Sequence, residues 1–267
     1  FLKNSNKSIC GIIASLEYLQ SQELLGMQEE YMRSHPITSE RIFDARSAAQ
    51  NENCNEPKNS TQEIKKYKFI QAKLHGFLNP ENTIKIINNS SYFDQDQKDY
   101  ALAIANYKSS NLTKGKSLIN KLIKKYPNNP YFYELKAQML RENGYIQESI
   151  KNYLKAIKIK PNDSLMLIEL SQSQINHESP NNLLNAIKNL KKASFTENEN
   201  EKLWYLLSVA YGRNNEMGKS RYASAYSSYL KGDDVSARNF IRKAKKIVKK
   251  NSVEWHKIEN LESKIKK

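Results

Sequence analysis

The chain has 267 residues, which bounds it at one large or two modest domains, with room for a buried core that needs no disulfide or structural metal. It carries 43 Lys+Arg against 28 Asp+Glu, a formal net charge of +15, with only 8 Gly and 7 Pro. That composition excludes collagen-like, Gly-rich and turn-rich all-β chains and favours long helices. No apolar run approaches the roughly 20 residues needed to span a bilayer. The chain opens at Phe1 with neither Met nor a signal segment, and is expected to be a piece of something longer.

In chain order, residues 5–33 read as a helix, with Ile9, Ile12, Ile13, Leu16, Leu19, Leu24, Met27 and Tyr31 near 3.6 spacing. Pro36 cannot continue it and pushes His35 into an extended conformation. Thr38 then caps a second helix with Glu40 in its first turn and Ile42, Ala45 and Ala49 along one face. Residues 51–62 are polar and aperiodic and read as a linker. A helix with Ile64, Tyr67, Ile70, Leu74 and Phe77 follows, ending near Asn79-Pro80.

From about residue 96 the chain repeats itself. The 34 residues from Pro130 to Asp163 place Tyr133, Ala137, Leu140, Gly144, Tyr145, Ser149, Tyr153, Ala156 and Pro161 in the order of the tetratricopeptide (TPR) pattern. The spacing has a physical reason: Ala137 and Ser149 let the two helices of a repeat, A and B, approach closely, and Pro161 stops the second. Units at 96–129, about 164–200 (with about three extra residues around His177–Asn182) and from Glu201 fall in register. Ala223–Leu230 and Ala237–Ala244 form another helix pair, and a last helix at about 253–265 can cap the open end. The expected fold is therefore all-α, a TPR solenoid preceded by short helices, divided as 1–50, linker 51–62, adaptor helices 63–95, array 96–250 and cap 251–267.

The charge invites a nucleic-acid partner, but the lysines alternate with apolar positions as on solvated helix faces. Even RKAKKIVKK, Arg242 to Lys250, keeps Ala244, Ile247 and Val248 on one stripe. With no zinc-finger or aromatic ribonucleoprotein motif, nucleic acid is not favoured. Cys10 and Cys54 fit no CxxC spacing; a disulfide and two free thiols both remain open. Gly-rich phosphate loops, G-x-S-x-G and H-E-x-x-H are absent. His75, His177 and His256 read as structural. On chemistry alone His35 is better placed to bond a neighbouring helix end than to hold zinc, which wants four ligands.

The stretch ASLEYLQSQELLGMQEEYMRSHPITSERIFDARSAAQ, then IQAKLHGFLNPE, then the repeats with LWYLLSVAY and SAYSSYLKGDDVSARNFIRKA, together resemble the back half of the BepA-like periplasmic zinc metallopeptidases, the beta-barrel assembly-enhancing proteases. The matching residues are Ser34-His35-Pro36, Glu40-Arg41-Ile42 and Ala45-Arg46. The resemblance implies that residues 1–50 are the edge of a peptidase domain. Its H-E-x-x-H would lie upstream of Phe1, so this chain alone is expected to be inactive and to hold no cofactor, with zinc in the parent. It implies a periplasmic location, His35 as a regulatory fourth zinc ligand, and Arg41 as an oxyanion or regulatory candidate. The implied partners are the chain's own upstream peptidase domain and, on the repeats, polypeptide substrates or outer-membrane assembly machinery. A plain scaffold or chaperone is the competing reading, and a basic RNA- or membrane-surface adaptor a third.

Counting from the repeat consensus, the first helices expose to a concave groove Tyr100, Ile104 and Tyr107, then Tyr131, Glu134, Gln138 and Arg141. Ile168, Gln172 and Ile175 follow in the third unit, then Tyr205 and Val209 in the fourth; the alternative for any of the aromatics is packing against the helices of residues 63–95 or the peptidase edge. The Lys/Asn carboxylate clamp of chaperone-binding TPRs is absent, since Tyr100 and Ile104 occupy its first two places; Tyr and Gln suit an amphipathic or β-rich polypeptide instead.

Overall fold

The computed structural model describes residues 9–24, 39–50, 61–177 and 179–265, which hold fourteen α-helices, one 3-10 turn and no strand. The chain divides into two compact units, Phe1–Gln71 and Ala72–Lys267.

In the first unit α1 (Cys10–Leu24) packs on α2 (Ser39–Ala48). Arg46 Nη2 meets Glu17 Oε1 at 2.5 Å, Gln20 Nε2 donates to Ser39 Oγ at 3.2 Å, and Ile42 and Ala49 are buried. The helix expected over 5–33 is described only within α1. Its remainder, the Ser34-His35-Pro36 loop, the Thr38 cap and most of the linker lie outside the described residues. Cys10 is disulfide-bonded; Cys54 also lies outside the described residues.

α3 (Thr61–Leu78) runs from the first unit into the second. It ends where Pro80 opens the short α4 (Pro80–Ile86), followed by the 3-10 turn Ile87–Asn89. Four helical hairpins come next: α5 (Gln95–Lys108) with α6 (Leu112–Lys125), α7 (Pro130–Glu142) with α8 (Ile146–Ile159), α9 (Ser164–Asn176) with α10 (Pro180–Ala193), and α11 (Glu201–Arg213) with α12 (Met217–Leu230). α13 (Asp234–Lys245) packs on α12, so α12 serves both the fourth hairpin and the next pair. α14 (Val253–Ile265) closes the end through Ile258, Leu261 and Ile265.

Small residues set the hairpin crossings. A Cβ at Gly115 on α6 would sit 2.9 Å from the Ala103 carbonyl oxygen on α5. Ala137 and Ser149 are fully buried between α7 and α8. In the third hairpin Ser171 Oγ reaches the Ala186 carbonyl at 3.4 Å, and in the fourth Ser220 Oγ donates to the Ser208 carbonyl at 2.8 Å. Those hydroxyls cross at the place where alanine or glycine serves elsewhere, and each is satisfied by backbone.

The first helix of every hairpin, and α13, has an acidic or amide N-cap: Asp94, Asn129, Asp163, Asn200 and Asp233 each accept from a backbone N–H of the first turn. Such caps satisfy donors the helix leaves orphaned. The turns inside the first, second and fourth hairpins reverse through one left-handed residue, Ser110 (φ 63°), Gly144 (φ 83°) and Asn215 (φ 60°).

Candidate functional site

The first helices of the hairpins, α5, α7, α9 and α11, share the inner face of the array, and a polar ladder crosses it from repeat to repeat. The Tyr107 hydroxyl on α5 donates to Glu142 on α7, which also accepts from Gln138 Nε2 at 2.8 Å. Arg141 on α7 bonds Glu169 on α9 at 2.8 Å, and Lys202 on α11 bonds the other oxygen of Glu169. Arg213 Nη1 on α11 then donates to the Ile175 carbonyl on α9 at 2.6 Å.

Burial changes the chemistry of these groups. It works to raise the Glu142 carboxyl, but the bonds from Tyr107 and Gln138 and the charges of Lys108 and Arg141 outweigh it and hold the group below its ordinary value. Glu134 has no such bonds. Burial raises it, while the charge of Lys73 on α3 opposes the rise.

The residues expected to line the groove divide in two. Tyr100, Ile104 and Tyr107 are buried, at 4%, 0% and 6% exposure. Ile104 is covered by α3, whose residues from Ala72 to Leu78 seat on the first hairpin, while the Tyr100 ring packs on Phe132 of α7 and the Tyr107 hydroxyl bonds Glu142. A Cβ at Gly76 would come within 2.7 Å of both the Ala101 carbonyl oxygen and Ile104 Cβ; Ala72 is fully buried, and Lys108 lies over the Phe77 ring. Ile168 and Ile175 are also buried, packed in the core shared by α9, α10, α11 and α12. These five residues are core in this structure, and they leave the open inner face to α7, α9 and α11. There Tyr131 and Tyr205 are about half exposed, as is Leu165, which stands 34 residues after Tyr131 at the same place in its repeat and which the groove assignment missed. Glu134, Gln138, Arg141, Gln172 and Val209 are partly exposed between them. The Tyr131 hydroxyl accepts from Lys160 Nζ at 2.9 Å, and Lys160 is itself paired with Asp163 at 2.8 Å.

His35 lies outside the described residues, and Arg41 is exposed on α2. Among the described residues no group of three or more His, Cys, Asp and Glu could hold a metal ion. The remaining histidines have local partners: His75 meets the Phe93 ring edge-on, His177 Nδ1 lies 3.0 Å from Asn182 Nδ2, and His256 Nδ1 lies 3.3 Å from Glu259. No described helix is long and apolar enough to cross a membrane.

No protein-family model matches the chain, and no curated protein matches it in sequence. In three dimensions it is similar to the solved structure described as a MamA RS-1 ArsTM double mutant, with 13% identity and a TM-score of 0.50, over 64% of this chain and 97% of that one. It is also similar to PilF of Pseudomonas aeruginosa, with 13% identity and a TM-score of 0.47, over 74% of this chain and 98% of that one. The helical hairpins, with the likeness to the first of these structures, define the class: the fold is all-α, and the array is a TPR helical solenoid. At this identity the likeness defines the fold and nothing finer.

Proposed function

We propose that this protein is an interaction scaffold that holds a polypeptide segment on the inner face of its TPR array. One observation carries the reading. Over α7, α9 and α11 the half-exposed side chains of Tyr131, Leu165 and Tyr205 stand beside a ladder of charged and amide groups. Aromatic anchors with polar neighbours are what a peptide groove offers. The test is a peptide array probed with the intact chain, followed by solution affinities for the strongest ten-residue binder. Tyr131→Ala combined with Tyr205→Ala should weaken that binder at least tenfold with the melting temperature unchanged. Equal affinity in the double variant would remove the inner face as the site.

The finer reading makes this scaffold the recruitment part of a zinc-dependent metalloendopeptidase in the periplasm. Its support is the resemblance carried by Ser34 to Arg46, together with the disulfide at Cys10, which suits an oxidising compartment. In the complete polypeptide encoded with this chain, bound zinc and chelator-sensitive cleavage of an unfolded protein are expected. His35→Ala should then raise basal cleavage. Absence of both zinc and cleavage would leave the scaffold alone.

A further inference from the structure

The array sorts its charge by row. The second helices of the hairpins, α6, α8, α10 and α12, pack on the first helices and form the outer row. They carry thirteen Lys and Arg against a single acid, Glu148, whereas the first helices, α5, α7, α9 and α11, carry six of each. Most of the chain's excess of fifteen positive charges therefore stands on one side. The helix dipole favours cations in the last turn, which accounts for Lys124, Lys158 and Lys191. It does not account for Lys114, in the first turn of α6 where the dipole opposes a cation, or for Lys151 and Lys188 in mid-helix.

Two lysines of this row, Lys121 and Lys125, are balanced by Asp99 and Asp96 of α5. Lys114, Lys124, Lys151, Lys158, Lys188 and Lys191 are exposed and meet no carboxylate within ion-pair distance among the described residues. Bare apolar side chains stand among them: Leu154 on α8 is 49% exposed, Leu184 on α10 is 54% exposed, and Phe195, just past the end of α10, is 88% exposed. Leu154 shares a helix face with Lys151 and Lys158, and Leu184 with Lys188. A nucleic acid has little use for this pattern. α6, α8 and α10 hold no Arg to fork a phosphate or read a base edge, and one ring is not the succession on which a single strand stacks. An anionic bilayer uses all of it. Its diffuse negative surface attracts lysines one by one, and Leu and Phe set among them enter the headgroup boundary.

We infer that the outer row, over α6, α8 and α10, is a docking surface for an anionic lipid bilayer, held by its unpaired lysines and anchored by Leu154, Leu184 and Phe195. This goes beyond the scaffold reading and stands independently of it. A chain held by its outer row keeps the inner face of α7, α9 and α11 on the side away from the lipid, open to a peptide.

The test is flotation of the intact chain with vesicles of equimolar phosphatidylglycerol and phosphatidylcholine, set against vesicles of phosphatidylcholine alone. One variant joins Lys151→Gln, Lys158→Gln, Lys188→Gln and Lys191→Gln. A control removes the same charge from the capped end with Lys246→Gln, Lys249→Gln, Lys250→Gln and Lys257→Gln. The outer-row variant should bind the anionic vesicles at least tenfold more weakly and the control within twofold of native, both with the native melting temperature, because the exchanged lysines are exposed. Phe195→Ser, which removes no charge, should weaken binding at least threefold. No binding of the native chain to anionic vesicles would overturn the surface. So would equal losses in the two lysine variants, which would assign the attraction to net charge alone. Undiminished binding by Phe195→Ser would overturn the apolar anchoring, and with it the choice of a bilayer over any other polyanion. A single-stranded oligonucleotide bound by the native chain and released by the outer-row variant, with vesicles left unbound, would give the face to nucleic acid instead.

Discussion

Single residues carry much of the local strain and charge balance. Ser110 stands in the left-handed region at φ 63° in a turn where the next hairpin uses Gly144. A side chain there is disfavoured by about 1–2 kcal/mol. Ser110→Gly should therefore stabilise the chain by about 1 kcal/mol in urea unfolding, part of the gain being offset by the greater freedom of glycine in the unfolded chain. Glu134 gives a pH-dependent prediction. Its folded carboxyl is raised by burial, so the folded state binds that proton more tightly than the unfolded state does. Stability from this group is complete below the unfolded value and is lost as pH rises through the folded one. Glu134→Gln removes the penalty, and should melt higher than the native chain at pH 7 with the advantage vanishing near pH 4, about the ordinary range of a glutamate.

At the scale of elements, the close seat of α3 on α5 depends on the missing side chain at Gly76. Gly76→Ala would press a methyl group against the Ala101 carbonyl and Ile104 Cβ, both of them held by their own helix. Overpacking of this kind costs about 1–3 kcal/mol, and the loss should appear as a lower urea midpoint. The hairpins were legible in the sequence because their crossings demand small residues at a fixed period: Ala137, Ser149 and Ala156 could be read in register with their counterparts. The periodic caps Asp94, Asn129, Asp163, Asn200 and Asp233 are an equally visible signal of where each hairpin begins. The seat of α3 was legible only as an alternative, packing of the groove aromatics against the helices of residues 63–95, because α3 lies outside the period and nothing in the repeat fixes where it lands; it lands on Ile104. Ile168 and Ile175 fell to a simpler competition. Their consensus positions face inward, but an apolar side chain next to a core joins it. The Arg141–Glu169–Lys202 links depend on how successive hairpins stack, which no single repeat encodes.

For the molecule as a whole, the net charge of +15 is the dominant long-range property. Lysines such as Lys121, Lys125, Lys219 and Lys245 are paired with carboxylates, yet fifteen positive charges remain unbalanced overall. Binding to heparin or duplex DNA should therefore be detectable at low salt and fall steeply with ionic strength. Peptide binding through neutral hydrogen bonds and rings should change little over the same range. A peptide affinity that followed the heparin salt slope would show charge attraction, rather than the inner face, to be the cause.

The seat of α3 also sets a ruler. With the first hairpin's inner face occupied by the chain itself, the open floor is three helices wide: α7, α9 and α11. Packed helices stand about 8–10 Å apart, so the floor measures about 30 Å. An extended chain advances about 3.3 Å per residue, which makes it about nine residues long. At one end the track meets a wall at α3. A segment threaded along it should gain affinity with each added residue up to about that length, and almost none beyond.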